Sequence, residues 1–160
     1  MKNKKTETQT FWQHEYKDEY MKKNSTWNLA HGVRGWEKML NKTQDVKTIL
    51  ECGCNIGRNL YYLEKIDSNF EFSVIDVNKD ALDHVKETYT IKHDYHGRIE
   101  DSDIQSNDFD LVFTCGVLIH IHPDELLNNL KKVYSYSSKY ILIAEYFNRT
   151  PVMIPYQGRN

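Results

Sequence analysis

Twelve residues, Thr48 to Asn59 with the sequence TILECGCNIGRN, constrain the fold more than any other stretch of the chain. An apolar run of Val46, Ile49 and Leu50 ends at Glu51, Gly53 and Gly57 punctuate the next few positions, and Ile56, Leu60 and Leu63 then recur at helical spacing. This pattern predicts a strand, a tight turn and a helix. Glycine suits such a turn because it accepts positive φ and lets a ligand approach the backbone, and Asn55 is the next most tolerant type.

Spacing narrows the ligand. A dinucleotide fingerprint needs G-x-G-x-x-G, whereas this turn offers only G-x-x-x-G, which disfavours NAD. Asp76 follows Glu51 by 25 residues and closes a second apolar run, Phe72, Val74 and Ile75. A doubly wound sheet presents a carboxylate to a ribose at that place. Two carboxylates at successive strand ends point to a nucleoside without phosphates.

These residues resemble the S-adenosylmethionine-dependent methyltransferases with a Rossmann-like sheet, whose first motif reads E/D-x-G-x-x-x-G. The segments NIGRNL, TCGVLIHIHPDEL and YILIAEYFNRTPVMIPYQG are similar to signature blocks of one branch, the methylases associated with pseudaminic acid and related surface-sugar biosynthesis. The likeness runs from about Phe11 to Gly158. It implies an α/β fold, a doubly wound sheet of mainly parallel strands in the order 3-2-1-4-5 with helices on both faces. It also implies S-adenosylmethionine as cofactor and S-adenosylhomocysteine as product. Glu51 and Gly53 are then expected on the methionine side and Asp76 at the ribose, with Asn55, Gly57, Val77, Thr114 and Gly116 as further cofactor contacts. The segment FWQHEYKDEYMKKN resembles the family's N-terminal block that folds over the cofactor, which adds Tyr20; Lys23 stands where that block often has arginine.

The remaining chain fits around this centre. At 160 residues it is long enough for one domain with one core, expected over 11–160, while Met1 to Thr10 is too polar to order itself. With 21 basic and 23 acidic residues there is no basic field, so a nucleic-acid partner is not expected. No apolar run approaches membrane-spanning length and the Lys-rich start lacks a signal-peptide core, which gives the expectation of a soluble, cytoplasmic protein without a membrane partner. Cys52, Cys54 and Cys115 read as reduced thiols, and no metal site is expected of Cys52-x-Cys54 and His120-x-His122.

Trp12, Tyr16 and Tyr20 form an aromatic stripe at helical spacing, and Asn24 and Ser25 are suited to cap the next helix, read from Trp27 to Leu40 with Val33, Trp36 and Leu40 inward. Asn78 to Glu87 reads as a helix burying Ala81, Leu82 and Val85, Tyr89 to Ile91 as a short third strand and Asp110 to Thr114 as a fourth. Between them, Gly97 to Asp101 fills the slot where this kind of fold recognises adenine. Glu100 or Asp101 would accept from its amino group, and the Ile99 or Glu100 amide would donate to a ring nitrogen. A helix starts near Pro123 and Asp124, with Leu126, Leu130 and Val133 inward. Lys139 to Ala144 reads as a continuously apolar, buried fifth strand.

Glu145 and Tyr146 close that strand. His120, which matches a histidine of the family's pattern, and Glu145 are the candidate bases, His122 is a weaker candidate than His120, and Tyr146, Tyr156 and Arg159 are placed on the acceptor side. The expected reaction is methyl transfer to a small polar acceptor, a sugar or sugar nucleotide. The family's last two strands have no counterpart before Asn160. Hence a second reading, a cofactor-binding accessory module that transfers nothing, and the expectation of a homodimer through the exposed fifth strand, with Met153, Ile154 and Tyr156 adding apolar surface.

Overall fold

The computed structural model describes residues 29–150 and Val152. Tyr20 and the aromatic stripe, the 1–10 tail, and Met153, Ile154, Tyr156 and Arg159 lie outside the described residues.

In chain order the elements are α1 (Leu29–Leu40), β1 (Thr48–Cys52), α2 (Arg58–Ile66), β2 (Glu71–Asp76), α3 (Lys79–Thr88), β3 (Ile91–His96), β4 (Phe109–Cys115), α4 (Pro123–Tyr136) and β5 (Ser137–Ala144). Short 3-10 turns at Ile99–Asp101 and Leu118–His120 flank β4. The described strands form one parallel five-stranded sheet in the order β3-β2-β1-β4-β5. The chain order reverses direction at β1, so the carboxyl ends of β1 and β4 diverge into a crevice where open α/β sheets hold ligands.

Side chains alternate across the sheet, which builds a core on each face. Ile49, Phe72, Val74, Leu111 and Phe113 pack with Trp36 of α1, Leu60 and Leu63 of α2 and Leu82 and Val85 of α3. On the opposite face Leu50, Cys52, Ile75 and Val112 meet Val133 and Tyr136 of α4. Trp36 fixes α1 by an edge contact to Phe113, with ring centroids 4.7 Å apart. Gly32 makes room on the same helix, since a Cβ there would sit 2.3 Å from the Tyr62 ring.

Three sequence expectations are corrected by packing. The third strand begins at Ile91 and continues through the polar run to His96, because β3 is an edge among the described strands and its charged side chains stay in water. Helix α4 buries Val133 as expected, but with Asn129 and Tyr136 in place of Leu126 and Leu130, which are half-buried, since polar groups on that stripe grip the loop after β3. The fifth strand begins at Ser137 and is an edge among the described strands, leaving Ile141 and Ile143 exposed instead of buried on both faces.

Candidate active site

The turn after β1 adopts the backbone its sequence demands. Gly53, Asn55 and Gly57 all have positive φ, at 81°, 45° and 77°. At Gly53 a Cβ would also come within 2.5 Å of the Val117 side chain, so glycine is needed for conformation and for space. The amide of Gly53 donates to the Ile75 carbonyl at 2.7 Å, tying the turn to β2.

Asp76, at the end of β2, secures the same turn from the other side. One carboxylate oxygen accepts from the Asn55 amide and the other from the Asn78 amide, each at 2.8 Å. A carboxylate offers about four acceptor positions, so these bonds leave capacity for a pair of hydroxyls. Burial raises the Asp76 pKa while the backbone amides around it pull the other way. Asn78 then caps α3 by accepting from the Asp80 and Ala81 amides.

Between these turns lies an open cleft at the carboxyl edge of the sheet. Gly53, Asn55, Asp76 and Val77 form one wall; Ile99 and Glu100 close one end; Gly116 and His120 line the side below β4. A smaller recess adjoins it, sharing Gly53, Asn55 and Cys115 and lined also by Glu51, Arg58 and Asn59.

Glu51 dominates the recess. It is 1% exposed, and one oxygen accepts from the Asn59 side-chain amide at 2.6 Å. Asn59 in turn accepts from the Trp36 indole at 3.4 Å, so α1, α2 and β1 meet through one chain of hydrogen bonds. The second Glu51 oxygen is buried and has no partner among the described residues. Burial, reinforced by nearby Asp76 and opposed by Asn59 and Arg58, pushes its pKa from 4.5 to about 8. A buried carboxyl with an open acceptor beside an arginine suits a ligand that brings an ammonium and a carboxylate.

His120 lines the cleft from the turn after β4, and burial lowers its pKa to about 4, leaving a neutral imidazole at pH 7. His122 serves a different purpose as the cap of α4, accepting from the Asp124 amide through Nδ1 at 3.3 Å.

Several candidates stand away from the cleft. Gly57 caps α2 with its open side against the Tyr89 ring, 2.6 Å from where a Cβ would sit. Thr114 is fully buried within β4, its hydroxyl without a partner among the described residues. Glu145 spends one oxygen on the Val117 amide at 3.0 Å and so braces the turn carrying Gly116 from behind. Tyr146 is 80% exposed and does not line the cleft. Asp101 turns outward to the Arg98 guanidinium at 3.6 Å. Sequence reasoning missed Arg98, Glu125 and Asn129 at the cleft end and Asn59 in the recess. Asn59 had a signal, being polar within the buried stripe of α2. No group of three or more potential metal ligands occurs among the described residues.

An open parallel α/β sheet with a cleft at its reversal point and acidic residues ending β1 and β2 defines a nucleoside-binding domain. The chain belongs to the methyltransferase domain family, whose model matches residues 49–138. The fold is similar to that of a SAM-bound amino pentose methyltransferase from Micromonospora echinaspora, with 12% identity, TM-score 0.68, and coverage of 88% of this chain and 60% of that one. It is also similar to a sugar N-methyltransferase from Streptoalloteichus sp ATCC 53650, with 12% identity, TM-score 0.66, and coverage of 82% and 54%. Magnesium protoporphyrin IX methyltransferase from Synechocystis PCC 6803 with bound SAM matches at 12% identity and TM-score 0.67, covering 88% and 77%. Likeness at these identities is a likeness of fold, and the chain spans just over half the length of several structures it matches. No curated protein matches the sequence. No helix among the described residues is long and apolar enough to cross a membrane.

Proposed function

We propose that this chain binds S-adenosylmethionine across the cleft and recess and transfers its methyl group to a small polar acceptor, a sugar or sugar nucleotide of a surface-glycan pathway of the pseudaminic acid type, in the cytoplasm. The observation that carries the cofactor assignment is the buried oxygen of Glu51 that has no partner among the described residues, beside the strand-end carboxylate of Asp76. Glu51 takes the α-ammonium, Arg58 faces the α-carboxylate, and the spare lone pairs of Asp76 take the ribose hydroxyls. Two neighbours in fold, named for methylating an amino pentose and a sugar, support the choice of acceptor.

When bound, the cofactor supplies a methyl carbon already activated by its sulfonium. The protein's contribution is chiefly to orient the acceptor in line and remove its freedom before reaction. His120 offers a neutral nitrogen in the cleft wall able to hold or accept an acceptor proton. A weak base suits a neutral amine acceptor, whose lone pair attacks before any proton is lost, better than an alcohol, which needs its proton removed as it attacks. Glu145 acts through the Val117 amide, fixing the turn that presents Gly116 and His120.

Incubation with methyl-labelled S-adenosylmethionine and a panel of amino and hydroxyl sugar nucleotides tests the reading. Label is expected on an amino-sugar acceptor. Tight cofactor binding without transfer to any member would favour the accessory-module reading instead.

A further inference from the structure

Behind the recess runs a buried polar chain that contact with a ligand does not by itself explain. Trp36 of α1 is 2% exposed and lines neither the cleft nor the recess, yet its indole N–H donates to Oδ1 of Asn59 at 3.4 Å. Asn59, also buried, donates from the other end of its side-chain amide to Oε1 of Glu51 at 2.6 Å. Core packing alone does not require this chain. A phenylalanine in place of Trp36 would keep the edge contact to Phe113 and bury no polar atom.

The direction of the two hydrogen bonds decides what Glu51 can do. A side-chain amide has an acceptor at one end and a donor at the other, so it fits a carboxylate through its nitrogen or a protonated acid through its oxygen. An indole N–H can only donate. Trp36 therefore holds the Asn59 oxygen toward α1 and its nitrogen toward Glu51, whose nearer oxygen must then accept. Asn59 acts on the Cys115 thiol in the sense that favours the thiolate, again as a donor does. A donor beside Glu51 favours the charged carboxylate, in a place where burial and the Asp76 carboxylate oppose it and Arg58 assists. The other titratable groups near Glu51 among the described residues are the thiols of Cys52, Cys54 and Cys115 and the Tyr89 hydroxyl. Burial raises the pKa of each, so all four are uncharged at pH 7.

Resting on the cofactor assignment above, we propose that Trp36 and Asn59 are positioning residues that keep Glu51 an acceptor and so tune the recess to a cationic amine rather than a neutral hydroxyl. With the amide reversed, Asn59 would accept from protonated Glu51 and stabilise the neutral acid. An arriving ammonium would then have to displace a more tightly held proton. Trp36 acts only through the orientation of Asn59.

Calorimetric titration with S-adenosylhomocysteine and with methylthioadenosine, from pH 6.5 to pH 9, tests this. The second compound keeps the nucleoside and lacks the amino acid. Trp36→Phe retains a ring against Phe113 and frees the amide to reverse. At pH 7 this variant should bind S-adenosylhomocysteine about tenfold more weakly than the parent, the scale of one hydrogen bond or one pKa unit at Glu51. By pH 9 the deficit should shrink to about twofold, because Glu51 ionises in both proteins as pH rises. Affinity for methylthioadenosine should be unchanged at every pH. Asn59→Leu removes the donor altogether, and it should show the same convergence should Trp36→Phe not fold. A deficit equal at pH 7 and pH 9, one that extends to methylthioadenosine, or none at any pH would overturn the proposal while leaving the cofactor assignment intact. A parent that does not bind S-adenosylhomocysteine would overturn the cofactor assignment and this inference with it.

Discussion

Replacing Glu51 by glutamine should make the ligand-free protein more stable at alkaline pH, and the gain should grow with pH in a defined window. In the folded chain burial raises the Glu51 pKa from 4.5 to about 8, with Asp76 adding to the effect and Asn59 and Arg58 opposing it. In the unfolded chain the carboxyl returns to an ordinary value of about 4.3. Below that pH both states hold the proton and Glu51 adds no pH dependence. Above it the unfolded state ionises while the folded state keeps its proton, so stability falls as pH rises and levels off once the folded pKa is passed. Each pH unit between the two values corresponds to about 1.4 kcal/mol, so the full loss is of order 5 kcal/mol by pH 8 to 9. Glutamine mimics the protonated acid, keeps an acceptor for Asn59 and cannot ionise. Urea unfolding of parent and Glu51→Gln from pH 5 to pH 9 isolates this group, because the other titrations cancel in the difference. The stability gap should be small near pH 5 and widen by about 3 to 5 kcal/mol at pH 8.5. A gap that stays constant across the range would show that Glu51 is ionised in the folded protein and would refute the reasoning.

The same geometry sets other outcomes. Asp76→Ala removes a charged acceptor and the anchor of the Asn55 amide, so affinity for S-adenosylhomocysteine should fall by about 1.5 to 3 kcal/mol by calorimetry, and an unchanged affinity would remove Asp76 from the site. His120→Gln should lower turnover about 10²-fold with cofactor affinity nearly intact, and parent activity should show no inflection near pH 6.5 from this residue, because its imidazole is already neutral there; lost affinity with normal turnover would make His120 a cofactor contact. The exposed Ile141 and Ile143 on β5 should support a dimer at micromolar concentration in sedimentation, broken by Leu142→Lys; a monomer would argue against strand pairing.

The turn after β1 could be read from the sequence because its requirements are local. Positive φ at Gly53, Asn55 and Gly57 restricts residue type whatever surrounds it. Asp76 and the helix burying Ala81, Leu82 and Val85 were legible for the same reason, a strand-end carboxylate and a helical period. What escaped depends on contacts between distant segments. Glu145 sits at a strand end as Asp76 does, yet the Val117 amide turns it away from the cleft, and no residue near it in sequence signals that. The buried stripe of α4 includes Asn129 and Tyr136, polar residues that pattern reading assigns to water; Asn129 bonds to Glu100, and the Tyr136 hydroxyl donates to the Ile99 carbonyl at 2.7 Å. The polar run in β3 likewise becomes a strand only because β2 offers it a partner.

The most direct test of the cofactor assignment is calorimetric titration of the purified protein with S-adenosylhomocysteine, with NAD in parallel, repeated in buffers of different ionisation enthalpy. The account predicts one-to-one binding of S-adenosylhomocysteine and none of NAD. It also predicts net proton release near pH 7, because the arriving ammonium drives Glu51 from its protonated to its ionised form. Absence of S-adenosylhomocysteine binding, or equal binding of NAD, would contradict it.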